Sequence, residues 1–324
     1  MYKRVAVGSS KIMHASSEGS GMTYASTQSF YSSHKKSVMP EIKLGWLDED
    51  KFERSRRLGW FDLDKVGRSS VLVVGVGAIG NEVVKNLVYS GFSRLTLVDM
   101  DRIVKSNLNR CLYFSDEDAE AKRYKAEVVA ARLKEEGFDV EYHTSPIQDL
   151  GEDFISHFDI VFGCLDNLLA RYHLNSHCYF YKIPYIDGGT LGLLGKVQGV
   201  LPPSSCLQCN ANKTHTKFVN ERFSCTGEQT TFFEPKFAAE ITTTSIVASV
   251  QVREALKILN ASRMKEELNK KWKLTDEEAE KKFMQENTLL GKMFYYDGVR
   301  NVSDTIVVPF RQDCSAHGQM DGTE

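Results

Sequence analysis

Strand-like runs recur along the middle of the chain at Val71–Val74, Leu95–Val98, Val140–His143, Ile160–Gly163 and Pro184–Ile186. Between them, Asn81–Ser90, Lys122–Glu136, Gly151–His157 and Leu168–Tyr181 carry helical patterns. Regular alternation of the two periods predicts an α/β fold, a Rossmann-like and mostly parallel sheet with helices on both faces. Upstream, "FERSRRLGWFDLDKVG" reads as helical and turns at Gly67. The second half changes character. "VQGVLP" is a further strand, 206–240 is an irregular polar crossing segment, and "ITTTSIVASVQVREALKIL" is a strongly patterned helix. The charged stretch 262–288 is expected as a solvated helical insertion, and "KMFYYDG" with "TIVVPF" as an antiparallel C-terminal extension.

Composition narrows the class. The chain has 324 residues, 42% of them hydrophobic and 26% charged, which suffices for a full core. A net charge of −2 supplies no basic footprint, so no nucleic-acid partner is expected. No apolar run is long enough to span a bilayer and no signal sequence stands at Met1, so no membrane association is expected and a cytoplasmic location is. Residues 1–43 are Ser-rich, with Glu18 the sole acid before Glu41, and predict a disordered arm. They resemble an organelle leader only faintly, having few arginines and no amphipathic helix. Residues 44–317 then form one domain and 318–324 a mobile tail. Seven cysteines are too few and too unevenly placed for a disulfide framework, which favours metal or thiol chemistry.

The stretch "VLVVGVGAIG" sets Gly75, Gly77 and Gly80 in G-x-G-x-x-G spacing directly after a strand. Such glycines permit a tight turn, approach of backbone N–H groups to a phosphate, and close packing of helix on strand. Asp99 ends the next strand, where its carboxylate can accept from ribose hydroxyls. Any ligand with a ribose and a phosphate satisfies this much, NAD included. Asn107, Arg110 and Lys125 follow and bring two cations toward the phosphates. Hydride transfer needs no such cluster, whereas adenylyl transfer does, because charge develops on the α-phosphate oxygens. Asp166, just past a buried strand, lies where ligands bind open parallel sheets; it suits Mg2+ or, alternatively, a helix N-cap.

Together, "GVGAIGNE", "LVDMDRIVKSNLNR", Lys125 and "CLDNLLAR" resemble the ThiF/MoeB/HesA family and the adenylation domains of ubiquitin-activating enzymes, over roughly Phe52 to His317. The family pattern has Gln where this chain has Cys111, and Pro where it has Tyr124; neither departure removes a charge. The resemblance implies ATP-dependent adenylation of the C-terminal glycine of a ubiquitin-like or sulfur-carrier β-grasp protein ending in Gly-Gly, within a homodimer. It implies that Asp99 binds the ribose, that Asn107, Arg110 and Lys125 bind the phosphates, and that Asp166 binds Mg2+. Arg54 and Arg57 match the family's R-x-x-R element, which reaches the partner subunit's ATP site, although the link from Arg57 to the first strand is short.

Cys206 and Cys209 form a C-x-x-C pair, and Cys314 and His317 a C-x-x-H pair roughly a hundred residues later. Two short-range pairs of soft ligands suit a closed structural Zn2+ site that ties down the C-terminal extension. Cys225 stands in the polar "RFSCTGEQ" near Arg222, surroundings that favour a thiolate, and the resemblance implies a thioester nucleophile in this segment. Other family members hand the adenylate to a sulfur donor, so a conjugating enzyme or a separate sulfur donor is the implied further partner. Cys111, Cys164 and Cys178 are expected as small buried side chains. The rival readings are adenylation of a peptide terminus or a modified tRNA base, an NAD-dependent oxidoreductase, and a noncatalytic half of a heterodimer.

Overall fold

The computed structural model describes residues 3–4, 13–14, 50–211 and 240–317. The chain divides into two compact units, residues 1–39 and 40–324. In the first, Lys3–Arg4 pairs antiparallel with Met13–His14. The remainder of the expected arm, the expected tail and Cys225 lie outside the described residues.

The second unit is built on eight strands: β1 Ser70–Val74, β2 Arg94–Val98, β3 Asp139–His143, β4 Ile160–Gly163, β5 Tyr185–Leu191, β6 Leu194–Val200, β7 Lys292–Asp297 and β8 Val302–Val307. Their order across the sheet is β8-β7-β6-β5-β4-β1-β2-β3. The five strands β1 to β5 run parallel, and β6, β7 and β8 are added antiparallel. The chain runs outward from β1 to β3, then crosses back to lay β4 on the other side of β1. That reversal opens a crevice at the carboxyl ends of β1 and β4, the place where open α/β sheets take ligands.

Alternation of side chains puts the two faces of β1 into two cores. Val71 and Val73 pack on one side with Val83, Leu87 and Val247, from helices α3 (Ala78–Tyr89) and α7 (Ile241–Leu259). Leu72 and Val74 pack on the other with Leu174 and Cys178 of α6 (Leu168–Phe180). All four strand residues are buried, which is why this run carries no polar position.

Several elements differ from the sequence expectation for identifiable reasons. The N-terminal charged stretch breaks into α1 (Glu53–Arg56) and α2 (Leu63–Arg68), because the Asp62 side chain accepts from the Lys65 N–H and starts a new helix. Gly67 lies inside α2, and the turn follows at Ser69. A short α4, Asp116–Glu120, is started by a Ser115/Asp118 capping box. The helix expected from Lys122 begins at Lys125 as α5 (Lys125–Glu135), since Tyr124 is bridged to Arg102 and Lys122 has a positive φ. Only the last residues of the expected helix at Gly151–His157 are helical, as a 3-10 turn at Phe154–His157 that buries Ile155 and then feeds β4. The charged stretch 262–288 folds as α8 (Ala261–Trp272) and α9 (Asp276–Asn287). It is not wholly solvated, because Ala279 and Phe283 of α9 are buried.

Candidate functional site

The three glycines after β1 serve different purposes. Gly75 has φ +89°, and a Cβ there would fall 2.4 Å from the Cys164 carbonyl oxygen, so the position admits no side chain. A Cβ on Gly80 would fall 2.0 Å from the Gly75 oxygen, which lets the first turn of α3 press onto the loop. Gly77 is the N-cap of α3, and a Cβ there would meet nothing within 4 Å. The space that packing does not use is thus at the helix N-terminus, whose N–H groups and dipole favour an anion. Asn81, fully buried, holds the turn: its Nδ2 donates to the carbonyls of Val76 (2.8 Å) and Gly77 (3.1 Å), and its Oδ1 accepts from the Tyr113 N–H.

Asp99 follows β2 directly. Its Oδ2 accepts from the Val76 N–H at 2.7 Å and its Oδ1 from the Asp101 N–H at 2.8 Å, so the carboxylate braces the glycine turn. Burial raises its pKa above the ordinary carboxylate value, against the opposing pull of Lys125 and the two amides. Lys125, the first residue of α5, donates from Nζ to Asp101 Oδ2 at 2.7 Å. Burial alone would lower its pKa, but the carboxylates of Asp99, Asp101 and Asp166 outweigh burial and raise it. One largely buried ammonium is therefore held in the field of acids that follow β2 and β4. Burial pushes the Cys111 thiol up to about 11, against the opposing charges of Arg110 and Lys125.

Asp166, beyond β4, is exposed and makes no hydrogen bond or ion pair among the described residues. The N-cap of α6 is Asn167, whose Oδ1 accepts from the N–H groups of Leu169 and Ala170, so capping does not occupy Asp166. Asn107 and Arg110 lie on the loop after β2 but bond within it. Asn107 Oδ1 accepts from the Val104 N–H, and the Arg110 guanidinium donates to Ser106 O and Asn109 Oδ1. Arg57 forms a two-point ion pair with Glu53, while Arg54 is exposed with no hydrogen bond among the described residues. These two arginines are not brought to the glycine turn by any hydrogen bond between the described residues.

Folding unites the two halves of the Cys/His set. The ligating atoms of Cys206, Cys209, Cys314 and His317 all lie within 4.8 Å of one another, and all four residues are buried. The Cys206 sulfur stands 3.9 Å from that of Cys209 and 3.6 Å from that of Cys314; Cys209 Sγ and His317 Nε2 are 3.0 Å apart. Those sulfur separations exclude a disulfide and bracket the edge of about 3.8 Å that Zn–S bonds of about 2.3 Å give a tetrahedron. The His317 ring is stacked between Tyr179 and Phe310. The donor set fits Zn2+.

Residues 52–315 match the ThiF family. The chain belongs to that family. It is 34% identical over 142 residues to the SUMO-activating enzyme subunit 2 of Dictyostelium discoideum, covering 43% of this chain and 22% of that protein. It is 38% identical over 156 residues to the NEDD8-activating enzyme E1 catalytic subunit of the same organism, covering 43% and 35%. The match thus spans about a third or less of these curated relatives. Among solved structures, E. coli MccB with ATP superposes with a TM-score of 0.60 at 19% identity, over 84% of this chain and 75% of that one, which shows a shared fold.

Sequence reasoning missed two parts of this ThiF-family chain. Asn81 is one, and "GNE" signals it only as a polar residue at a buried helical position. The other is a buried ion pair between α6 and β5. Arg171 Nε donates to Asp187 Oδ1 at 2.8 Å, its Nη2 pairs with Oδ2, and the Tyr185 hydroxyl donates to Oδ1 at 3.0 Å. Gly188, in the same strand, has no room for a Cβ beside the Gln251 amide, whose Nε2 donates to the carbonyls of Gly163 and Ile186 and ties α7 to the sheet. No helix among the described residues is long and apolar enough to cross a membrane.

Proposed function

We propose that this chain uses ATP to adenylate the C-terminal glycine of a ubiquitin-like or sulfur-carrier β-grasp protein. The observation that carries the proposal is the pairing of Lys125 with Asp101, in the field of Asp99 and Asp166, beside an anion-facing glycine turn. Family membership and the named activating enzymes among its relatives support it. In the proposed step a carboxylate oxygen of the substrate attacks the α-phosphorus of ATP. The bond from that phosphorus to the bridging oxygen breaks, leaving an acyl adenylate and pyrophosphate. The N–H groups at Gly77 and the start of α3 would face the phosphates, and Asp99 would accept from the ribose. Lys125 would offset charge developing on the α-phosphate, joined by Asn107 and Arg110 once they exchange their loop partners for the nucleotide. Asp166, uncommitted, would hold Mg2+, which neutralises phosphate charge when bound. Zn2+ in the Cys206, Cys209, Cys314 and His317 site would be structural.

In a homodimer, Arg54 and Arg57 would serve the neighbouring subunit's nucleotide. The proposed second step is attack of the Cys225 thiolate on the acyl carbonyl, forming a thioester and releasing AMP; a conjugating enzyme or sulfur donor would be a separate protein. A cytoplasmic location accompanies this reading. ATP–pyrophosphate exchange with a β-grasp protein ending in Gly-Gly, run beside the same protein lacking those glycines, tests the first step. Exchange should vanish with the truncation, and exchange indifferent to it would overturn the protein-substrate reading in favour of another acyl group. A reductant-sensitive adduct should be absent from Cys225→Ser, and its persistence there would exclude that thiol.

A further inference from the structure

Helix α6 lies against the Cys/His cluster. Tyr179 stacks on the His317 ring, and one turn earlier Asn175 is fully buried beside the Cys206–Cys209 turn. Asn175 Oδ1 accepts from the Leu207 N–H at 2.9 Å, one residue beyond Cys206. Only the oxygen of an amide can accept from an N–H, so this bond fixes which limb of the side chain is which. The other limb, Nδ2, is then buried with no partner in ordinary hydrogen-bond geometry among the described residues.

Holding the Leu207 N–H needs an oxygen alone. A second limb that carried two N–H groups into the interior for nothing would only cost stability, and such donors are rare in native proteins. The Cys206 sulfur supplies a use for it. A neutral thiol accepts weakly, whereas the thiolate that ligates a metal is a charged acceptor and bonds strongly. The Cys314 thiol and burial both hold the Cys206 pKa up, and the Asn175 side chain works against them in favour of the thiolate. At Cys209 burial opposes the thiolate and the Arg311 backbone N–H favours it. At Cys314 the Cys206 side chain favours it, burial opposes it and the Ala316 backbone N–H supports it. Cys206 thus differs in drawing on a side chain from another element, one that a substitution can remove.

We propose that Asn175 is a positioning residue of the Cys206, Cys209, Cys314 and His317 site: its Nδ2–H donates to the Cys206 thiolate when Zn2+ is bound, while its Oδ1 holds the Leu207 N–H. One side chain then fixes both the ligating sulfur and the turn that carries it. The bond also draws charge from the sulfur, which disfavours the protonation that releases the ion. The inference rests on the structural-zinc reading above and adds no ligand to it.

The direct test is NMR of the full nitrogen-labelled chain with the spin-active isotope of cadmium in place of zinc. A hydrogen bond to a ligating sulfur transmits coupling between the donor proton and the metal. One Asn175 side-chain proton, assigned by its loss in Asn175→Asp, should show a cross-peak to cadmium, with the backbone amides of Arg311 and Ala316 as internal controls. Zinc affinity, read by competition with a chromophoric chelator, should fall roughly tenfold to a hundredfold in Asn175→Leu. Asn175→Asp keeps an oxygen for the Leu207 N–H and removes the amide donor. Its deficit should widen as pH rises, because the protonated carboxyl can donate to the sulfur and the ionised one repels it. A chain that takes up no metal would end the zinc reading and this inference with it. A loaded chain that shows the backbone cross-peaks without that of Asn175, or an Asn175→Asp chain whose pH profile runs parallel to the unchanged one, would overturn the inference and leave the zinc site standing.

Discussion

The edge at Gly75–Gly80 and the Cys206/Cys209/Cys314/His317 cluster differ in what they leave open. At the edge, Gly77 faces free space, Asp166 makes no hydrogen bond or ion pair among the described residues, and the side-chain hydrogen bonds of Arg110 and Asn107 among those residues stay within their own loop. In the cluster, all four side chains are buried and their donor atoms converge on one point. The first arrangement suits a ligand that enters and leaves at every turnover. The second suits one that arrives at folding and stays. Stability and activity should therefore respond separately to changes in the two regions.

The largest effect is expected in the cluster. Cys314→Ser should reduce bound zinc below one per chain and cost on the order of several kcal/mol, because binding free energy at such a site is folding free energy. Metal analysis with thermal melting measures this, and unchanged melting would erase the contrast. Next, Arg171→Met should cost about 3–5 kcal/mol by leaving Asp187 buried and uncompensated, whereas Arg171→Met with Asp187→Leu should recover much of it in denaturant unfolding. At the open edge, Asp166→Ala should lower ATP–pyrophosphate exchange on the order of a hundredfold or more and change stability by less than about 0.5 kcal/mol. A large loss of stability there would place Asp166 with the structural residues. Its neighbour sharpens the point: Asn167→Ala removes the α6 cap and should cost about 1 kcal/mol.

The smallest effect is a difference in pH response. The folded pKa of Asp99 is raised, so the folded state holds this proton more tightly than the unfolded chain does. Its contribution to stability should then grow as pH falls from the raised value toward 3.8. With Zn2+ bound as proposed, the Cys206/Cys209/Cys314/His317 cluster should respond in the opposite sense, because protonated ligands release the ion. Carboxyl NMR titration of Asp99 beside metal release measured over the same range would show the two trends, and parallel trends would contradict them.

How legible each region was in the chain follows from how locally it is encoded. β1, β2 and β4 stood out because strands packed on both faces are largely apolar runs, and Gly75, Gly77, Gly80 and Asp99 lie in one continuous unit of fixed spacing. The Cys and His pairs were legible as pairs, although only the fold sets them together. β5 was underestimated, since "DGGTL" reads as a turn; Gly188 is needed for the approach of Gln251, a contact 63 residues away in the chain. The ion pair of Arg171 with Asp187 was not legible, because Arg171 ends the "CLDNLLAR" motif while its partner lies in another element. The local bonding of Arg110 was equally hidden, as spacing says nothing of which acceptor a guanidinium chooses.

Helix α6 also works as a ruler. Asn167, Arg171, Asn175 and Tyr179 stand at four-residue intervals, on one stripe of the helix. Along it they cap the start of the helix, pair with Asp187, accept from the Leu207 N–H in the Cys206–Cys209 turn, and stack on His317. The stripe is about 18 Å long at the usual rise per residue. Inserting a single residue in its middle would rotate everything beyond by about 100° and carry the far contacts off their partners together. This segment should tolerate exchanges of side chain far better than any change in length.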